Sequence, residues 1–240
     1  MTSLITATYP ANCAILALPD ADVRKILTLN CALAPQNVTP PGTHPVLIML
    51  GDETNVKVPW LPWLPVPNYL ESIVVVPWVV HASAPGAVMA NPGRIWLNGL
   101  SPMIGGRIFG FRKRLARMED GDSSYSAQTF FARRPILNAQ YTLRGEPGKP
   151  SSFPNFAPLE PIFTQSLLVR FLCIYPLMSM AMDWELEEAT MQSLDMTLEV
   201  DPGAFPGIPP GTYQIEGIDQ QVIGGFRLNA TWRMAWPKLL

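Results

Sequence analysis

Proline constrains this chain more than any other residue. Of 240 residues, 26 are Pro, roughly twice the usual ~5%. Each one fixes φ and removes a backbone donor, so long helices cannot dominate. Short strands, many turns and extended loops are expected. Hydrophobic residues make up 48% of the chain, ample for a core, while charged residues make up only 15%. A formal net charge of -2 excludes the strongly basic footprint of a nucleic-acid binder and an acidic disordered tail. No repeat appears, and no linker is long enough to divide the chain. All-β folds of this length commonly form one unit, so residues 1–240 read as a single domain.

No apolar run reaches the ~18 residues of a membrane span. Ile73 to Val80 is interrupted by Pro77, and Phe171 to Met182 by Pro176 and Ser179. The first residues, M-T-S-L-I-T-A-T-Y-P, show no basic region ahead of apolar ones, which argues against a signal peptide. A cytoplasmic protein with no membrane partner is expected. Cys13, Cys31 and Cys173 are far apart and lack zinc or redox spacing. They read as reduced, mostly buried thiols, and no metal site is expected.

Along the chain, Cys13 to Leu18 is a short apolar strand. Asp20 and Asp22 precede Val23, Ile26 and Leu27 at helical spacing, which predicts a helix over Ala21 to Leu29. Val46 to Leu50 reads as a buried strand. Trp60 to Pro67 reads as extended. Tyr69 to Val80 is rich in β-branched residues and reads as a strand. Ala87 to Met89 and Arg94 to Leu97 are two more. Gly105 to Glu119 is the most basic stretch, and its Ile108, Phe111, Leu115 and Met118 fall at helical spacing. Ser126 to Arg133 and Ile136 to Arg144 suggest a hairpin. Leu167 to Tyr175 is strand-like, and Met182 to Glu187 alternates with the period of a half-buried strand. Gln192 to Val200 and Gly224 to Trp236 complete the set. The fold class is mainly β with a few short helices, on a closed or highly curved sheet.

Lysine is scarce, and Lys113 is unusual among the five. It lies between Arg112 and Arg114, six residues after Arg107, with Phe109, Phe111 and Leu115 nearby. Neighbouring cations and desolvation both disfavour an ammonium, and a neutral amine is what a Schiff-base nucleophile requires. The bland alternative is a solvated basic helix face.

The stretch G-G-R-I-F-G-F-R-K-R-L-A resembles the G-R-E-x-x-G-F-P-K-K-L signature of the acetoacetate decarboxylase-like superfamily. Tyr69-Leu70-Glu71-Ser72, about forty residues upstream, resembles that family's Y-x-E-S/V element before a strand. Pro19 to Leu27 resembles its short first helix. The resemblance implies a curved or closed antiparallel sheet forming a cone or barrel around an active-site cavity. It also implies that Lys113 forms an imine with a small-molecule keto acid, without any cofactor, and that Glu71 orients the carbinolamine or moves a proton. Arg114 stands where the prototype has a second lysine. Arg114, Arg107, Phe111 and Tyr69 are the expected substrate-binding residues. Family members are commonly oligomeric, so a homo-oligomer is expected.

Departures from the pattern leave the substrate open. The segment before Pro19 holds no arginine, where the prototype grips a carboxylate. Val46 to Leu50, aligned with the strand that carries a second prototype carboxylate, is all apolar. Arg112 replaces a proline and Ile108 an acid. The leading expectation is a carbon–carbon lyase that decarboxylates a β-keto acid other than, or bulkier than, acetoacetate. Its rivals are an aldolase-dehydratase acting on pyruvate-like α-keto acids and a non-catalytic binder of apolar molecules. Trp60, Trp63, Trp78 and Trp96 read as core residues rather than as pocket lining.

Overall fold

A computed structural model of the chain describes residues 3–28, 30–170 and 177–240. Its strands, in chain order, are β1 (Ser3–Pro19), β2 (Cys31–Leu33), β3 (Thr43–Lys57), β4 (Tyr69–His81) and β5 (Ala84–Leu97). They continue as β6 (Arg112–Asp120), β7 (Ser124–Thr129), β8 (Pro135–Gly148), β9 (Leu167–Arg170) and β10 (Leu177–Met180). The last are β11 (Met182–Trp184), β12 (Thr190–Val200), β13 (Gly211–Ile215), β14 (Gly225–Ala235) and β15 (Lys238–Leu239). Three short α-helices intervene: α1 (Asp20–Val23), α2 (Leu100–Ile108) and α3 (Glu160–Thr164). The class is mainly β, as the proline count and strand signals predict.

Hydrogen bonding links the strands in the order β5-β6-β7-β8-β12-β14-β1-β3-β4, and β4 pairs again with β5. Nine strands therefore run round a closed circuit. The sheet curves back on itself without being a clean barrel, because other strands branch off. β2 extends from β4, β9 and β10 extend from β5, β11 joins β14, and β13 joins β12. Within the circuit, β5 and β6 run parallel, joined through α2, and the other neighbours are antiparallel.

Alternation along the strands gives the sheet two buried faces. Val46, Ile48 and Leu50 on β3, Val74 and Val76 on β4, and Trp96 on β5 build one core. Leu47 and Met49 on β3 and Ile95 and Leu97 on β5 build the other. The second face is covered by the turns and helix around residues 150–164, whose Phe156 and Phe163 pack edge-on against Phe226. A strand buried on both faces reads as a continuous apolar run, which is how Val46 to Leu50 reads.

Several local expectations change. The helix expected over Ala21 to Leu29 is one turn, α1, followed by tight turns closed by Lys25 N–H to the Asp22 carbonyl and Ile26 N–H to the Val23 carbonyl. No side-chain cap forms there; Asp22 instead pairs with Lys25 at 2.6 Å. Leu29 lies outside the described residues. The first part of Trp60 to Pro67 is not extended: it turns, with Leu61 N–H on the Val58 carbonyl and Leu64 N–H on the Leu61 carbonyl. Ala87 to Met89 and Arg94 to Leu97 merge into β5. The strand at Met182 stops at Trp184. The strand at Leu167 is described only to Arg170, and Phe171 to Tyr175, with Cys173, lie outside the described residues. Cys13 is buried and Cys31 half-buried, both as free thiols. Of the four clustered tryptophans, Trp96 is buried, Trp78 half-buried, and Trp60 and Trp63 exposed. Core burial therefore does not hold for that pair.

The correction that matters most for function concerns Gly105 to Glu119. The helix ends at Ile108, the chain turns at Gly110 with φ at 89°, and β6 begins at Arg112. Lys113 thus sits on a strand. Among the described residues, no helix is long and apolar enough to cross a membrane.

Candidate functional site

The register of three strands brings an acid and an amine together. Glu71 on β4 lies opposite Leu97 of β5, and Lys113 on β6 lies opposite Ile95. Their strands are two strand spacings apart, about 9.6 Å, and the two positions are offset by two residues along β5. Two long side chains on the same face can close that gap over β5. They do: Lys113 Nζ donates to Glu71 Oε2 at 2.7 Å. Lys113 is 8% exposed and Glu71 2%.

Neighbouring groups hold the pair. The Tyr9 hydroxyl donates to the Glu71 backbone carbonyl at 3.3 Å. The Tyr69 ring lies under the amine, its centroid 5.2 Å from Nζ, a distance at which the ring face favours a cation. On the other side runs α2. A Cβ on Gly106 would collide with Cδ and Cε of Lys113, so the lysine stem lies in a notch that only glycine leaves open.

The pair opens on a cavity of about 410 Å³. Its walls are almost wholly apolar, with Met49, Val56, Ile95, Phe111, Trp184 and Trp232 among them. Lys113 is the only cation among the described residues that line it. A second buried carboxylate faces the same space. Glu53 on β3 is 2% exposed and accepts a hydrogen bond from Trp232 Nε1 at 3.2 Å. Burial, and then the charge of Glu71, push its carboxyl well above the usual carboxylate range, against the pull of Lys113. Burial and the same two carboxylates also push the Tyr69 hydroxyl up, so Tyr69 stays a neutral donor.

Four of the six residues expected at the site meet here: Lys113, Glu71, Tyr69 and Phe111. Arg114 and Arg107 do not. Strand alternation turns Arg112 and Arg114 to the opposite face of β6 from Lys113, where both are exposed. Arg107, exposed on α2, donates from Nε to the Lys113 backbone carbonyl at 2.8 Å. Arg112 and Arg114 therefore do not crowd the amine as expected, and what surrounds it is mostly apolar. Glu53 escapes the sequence reading, in which the buried strand ends at Leu50. β3 runs on to Lys57, and Glu53 supplies a second carboxylate from that strand. The available signal is Gly51, just past the apolar run. It admits the close passage of Pro10 and Ala11 on β1, and a glycine inside a strand often marks such an approach.

No family model matches the sequence, and neither does any curated protein. Solved structures do match. The enduracididine biosynthesis enzyme MppR complexed with pyruvate superposes with a TM-score of 0.65 at 12% identity, over 100% of this chain and 91% of that one. Acetoacetate decarboxylase from Legionella pneumophila gives 0.62 at 16% identity, over 99% of this chain and 86% of that one. The chain has the acetoacetate decarboxylase-like fold. An acetoacetate decarboxylase-like enzyme from Sphingomonas wittichii RW1 shares it, with a TM-score of 0.64 at 11% identity, over 100% of this chain and 94% of that one. The solved chains with this acetoacetate decarboxylase-like fold that are named here are enzymes, and the match extends over the whole length rather than one corner of the sheet.

Proposed function

We propose that the chain is a carbon–carbon lyase that works through an imine on Lys113 and decarboxylates a β-keto acid bulkier than acetoacetate. The observation that carries this reading is the 2.7 Å contact between Lys113 and Glu71 inside an apolar cavity. The amine passes a proton to Glu71 and its lone pair adds to the substrate carbonyl. Glu53, whose carboxyl burial pushes up and so helps to hold a proton, gives that proton to the departing hydroxyl, and water leaves the carbinolamine. The resulting iminium accepts the electron pair released when the bond to the carboxylate breaks and CO2 departs. The enamine carbon takes a proton, water adds back, and the lysine is freed. Apolar walls favour the carboxylate's conversion to neutral CO2. No cofactor enters this scheme.

The lining argues for a substrate with an apolar body. No guanidinium faces the cavity among the described residues, so the substrate carboxylate meets Lys113 as its only cation. A second reading has its own support. MppR of the same fold has also been solved with the condensation product of pyruvate and imidazole 4-carboxaldehyde. On that reading the enamine adds to an aldehyde instead of taking a proton.

The test is borohydride trapping with a panel of keto acids, followed by peptide mapping. The expected result is a mass increment on the peptide bearing Lys113, CO2 release from apolar β-keto acids, and loss of both in Lys113→Arg. Consumption of pyruvate together with an aldehyde would favour the aldol reading. Unchanged turnover by Lys113→Arg would remove the lysine from the mechanism. Binding of apolar ligands with neither turnover nor trapping would make the chain a binder.

A further inference from the structure

Behind the lysine, on the far side of β6, lies a second concavity. It measures about 280 Å³ and is lined by Arg94, Arg107, Arg112 and Arg114 together with Ile26, Phe111, Pro206 and part of Lys113. The sheet builds it. In the parallel β5–β6 register, Arg94 stands directly opposite Arg112, and Trp96 stands opposite Arg114. Like charges facing each other across a strand pair are destabilising. The guanidinium carbons of Arg94 and Arg114 lie 5.5 Å and 5.9 Å from the Trp96 ring centroid, so one buried ring positions both.

Three of these cations have no carboxylate partner. Among the described residues no carboxylate forms an ion pair with Arg94, Arg112 or Arg114. Arg94 uses one terminal nitrogen, on the Gly203 and Ala204 carbonyls at 2.8 and 3.0 Å. Arg112 donates to the Ile26 carbonyl at 3.4 Å. A guanidinium has five N–H donors, so most of those on the three arginines face the concavity or water. Partial burial, and then the charges of Arg114 and Arg112, lower the Arg94 pKa, which is the mark of an uncompensated cluster.

We propose that this concavity is an oxyanion site, separate from the imine-forming cavity, that takes a phosphate group, either as the free ion or on a small phosphate ester. Guanidinium forks match phosphate oxygens two at a time. A tetrahedral dianion can accept from three arginines at once, and a single carboxylate offers neither the charge nor the oxygens. The ligand would lie against the outer side of the strand that presents Lys113. The backbone there is already tied to α2 by the Arg107 contact.

The test is calorimetric titration with inorganic phosphate against chloride at matched ionic strength, on the intact chain. Wild type is expected to bind one phosphate saturably. The double variant Arg112→Gln with Arg114→Gln should weaken it at least tenfold. Arg117→Gln, on the same strand but outside the cluster, should stay within twofold of wild type. Should the double variant fail to fold, Arg114→Lys serves instead: it keeps the charge, loses the fork and should bind several-fold more weakly. The proposal falls if wild type shows no saturable binding, or if binding survives in the folded double variant. It also falls if phosphate does not bind while sedimentation shows an oligomer that the double variant dissociates, because the arginines would then meet acidic residues of a second copy.

Discussion

Lys113 is 8% exposed and holds Glu71 at 2.7 Å. Arg112 and Arg114, one residue to either side, are exposed and share their surface with Arg94 rather than with a carboxylate. Three consecutive cations thus occupy two environments. Side chains alternate across a strand, so the sheet lies between the amine and its sequence neighbours. Adjacency in sequence says little about charge–charge coupling once the local conformation is extended. What distinguishes the lysine is the wall it faces, not the company it keeps along the chain.

The largest effect is expected at Glu71. Glu71→Gln leaves a hydrogen-bonding group but no base, and keto acid trapping by borohydride is expected to slow by about 10²–10⁴-fold. Retained rates would show that the amine needs no acceptor on that face. Gly106→Ala places a methyl against the lysine stem. It is expected to slow trapping by roughly tenfold and to lower stability by about 1–3 kcal/mol, as overpacking does; an urea midpoint equal to wild type would show that α2 gives way freely.

Glu53 supplies a subtler test. Its carboxyl titrates higher folded than unfolded, so between those two values the folded chain binds more protons. Stability must then fall as pH rises through that window, by at most about 1.4 kcal/mol per pH unit. Glu53→Gln should flatten this part of the profile in urea denaturation from mildly acidic to alkaline pH, and an unchanged slope would assign the proton elsewhere. Arg114→Gln, on the other face, should alter trapping by less than twofold. A larger effect would mean that charge reaches the amine through the strand.

Much of this was legible in the sequence. The apolar runs at Val46 to Leu50 and Tyr69 to Val80 located two central strands, and the lysine and glutamate motifs named both members of the buried pair. What could not be read has physical causes. Ordinarily a strand announces itself by alternating polar and apolar residues, but β6 carries cations on both faces, so Arg112, Lys113 and Arg114 show no alternation. The spacing of Ile108, Phe111, Leu115 and Met118 then mimics a helix, although the first belongs to α2 and the last two to β6. Glu53 lies past the end of the apolar run, in a stretch from Gly51 to Asn55 with no apolar residue to mark a strand. The exposed Trp60 and Trp63 show that aromatic content does not reveal where a side chain goes: Trp60 borders the cavity and Trp63 lies 75% exposed.

The parallel pairing of β5 and β6 has a consequence for shelter. Two strands running the same way cannot be joined by a tight hairpin, so the connection must travel back across the sheet. Here that return path lays a helix beside the lysine stem. Were the two strands antiparallel, a short loop would suffice and the stem would have no such neighbour. Seclusion of the nucleophile is in this sense a by-product of the route the backbone takes.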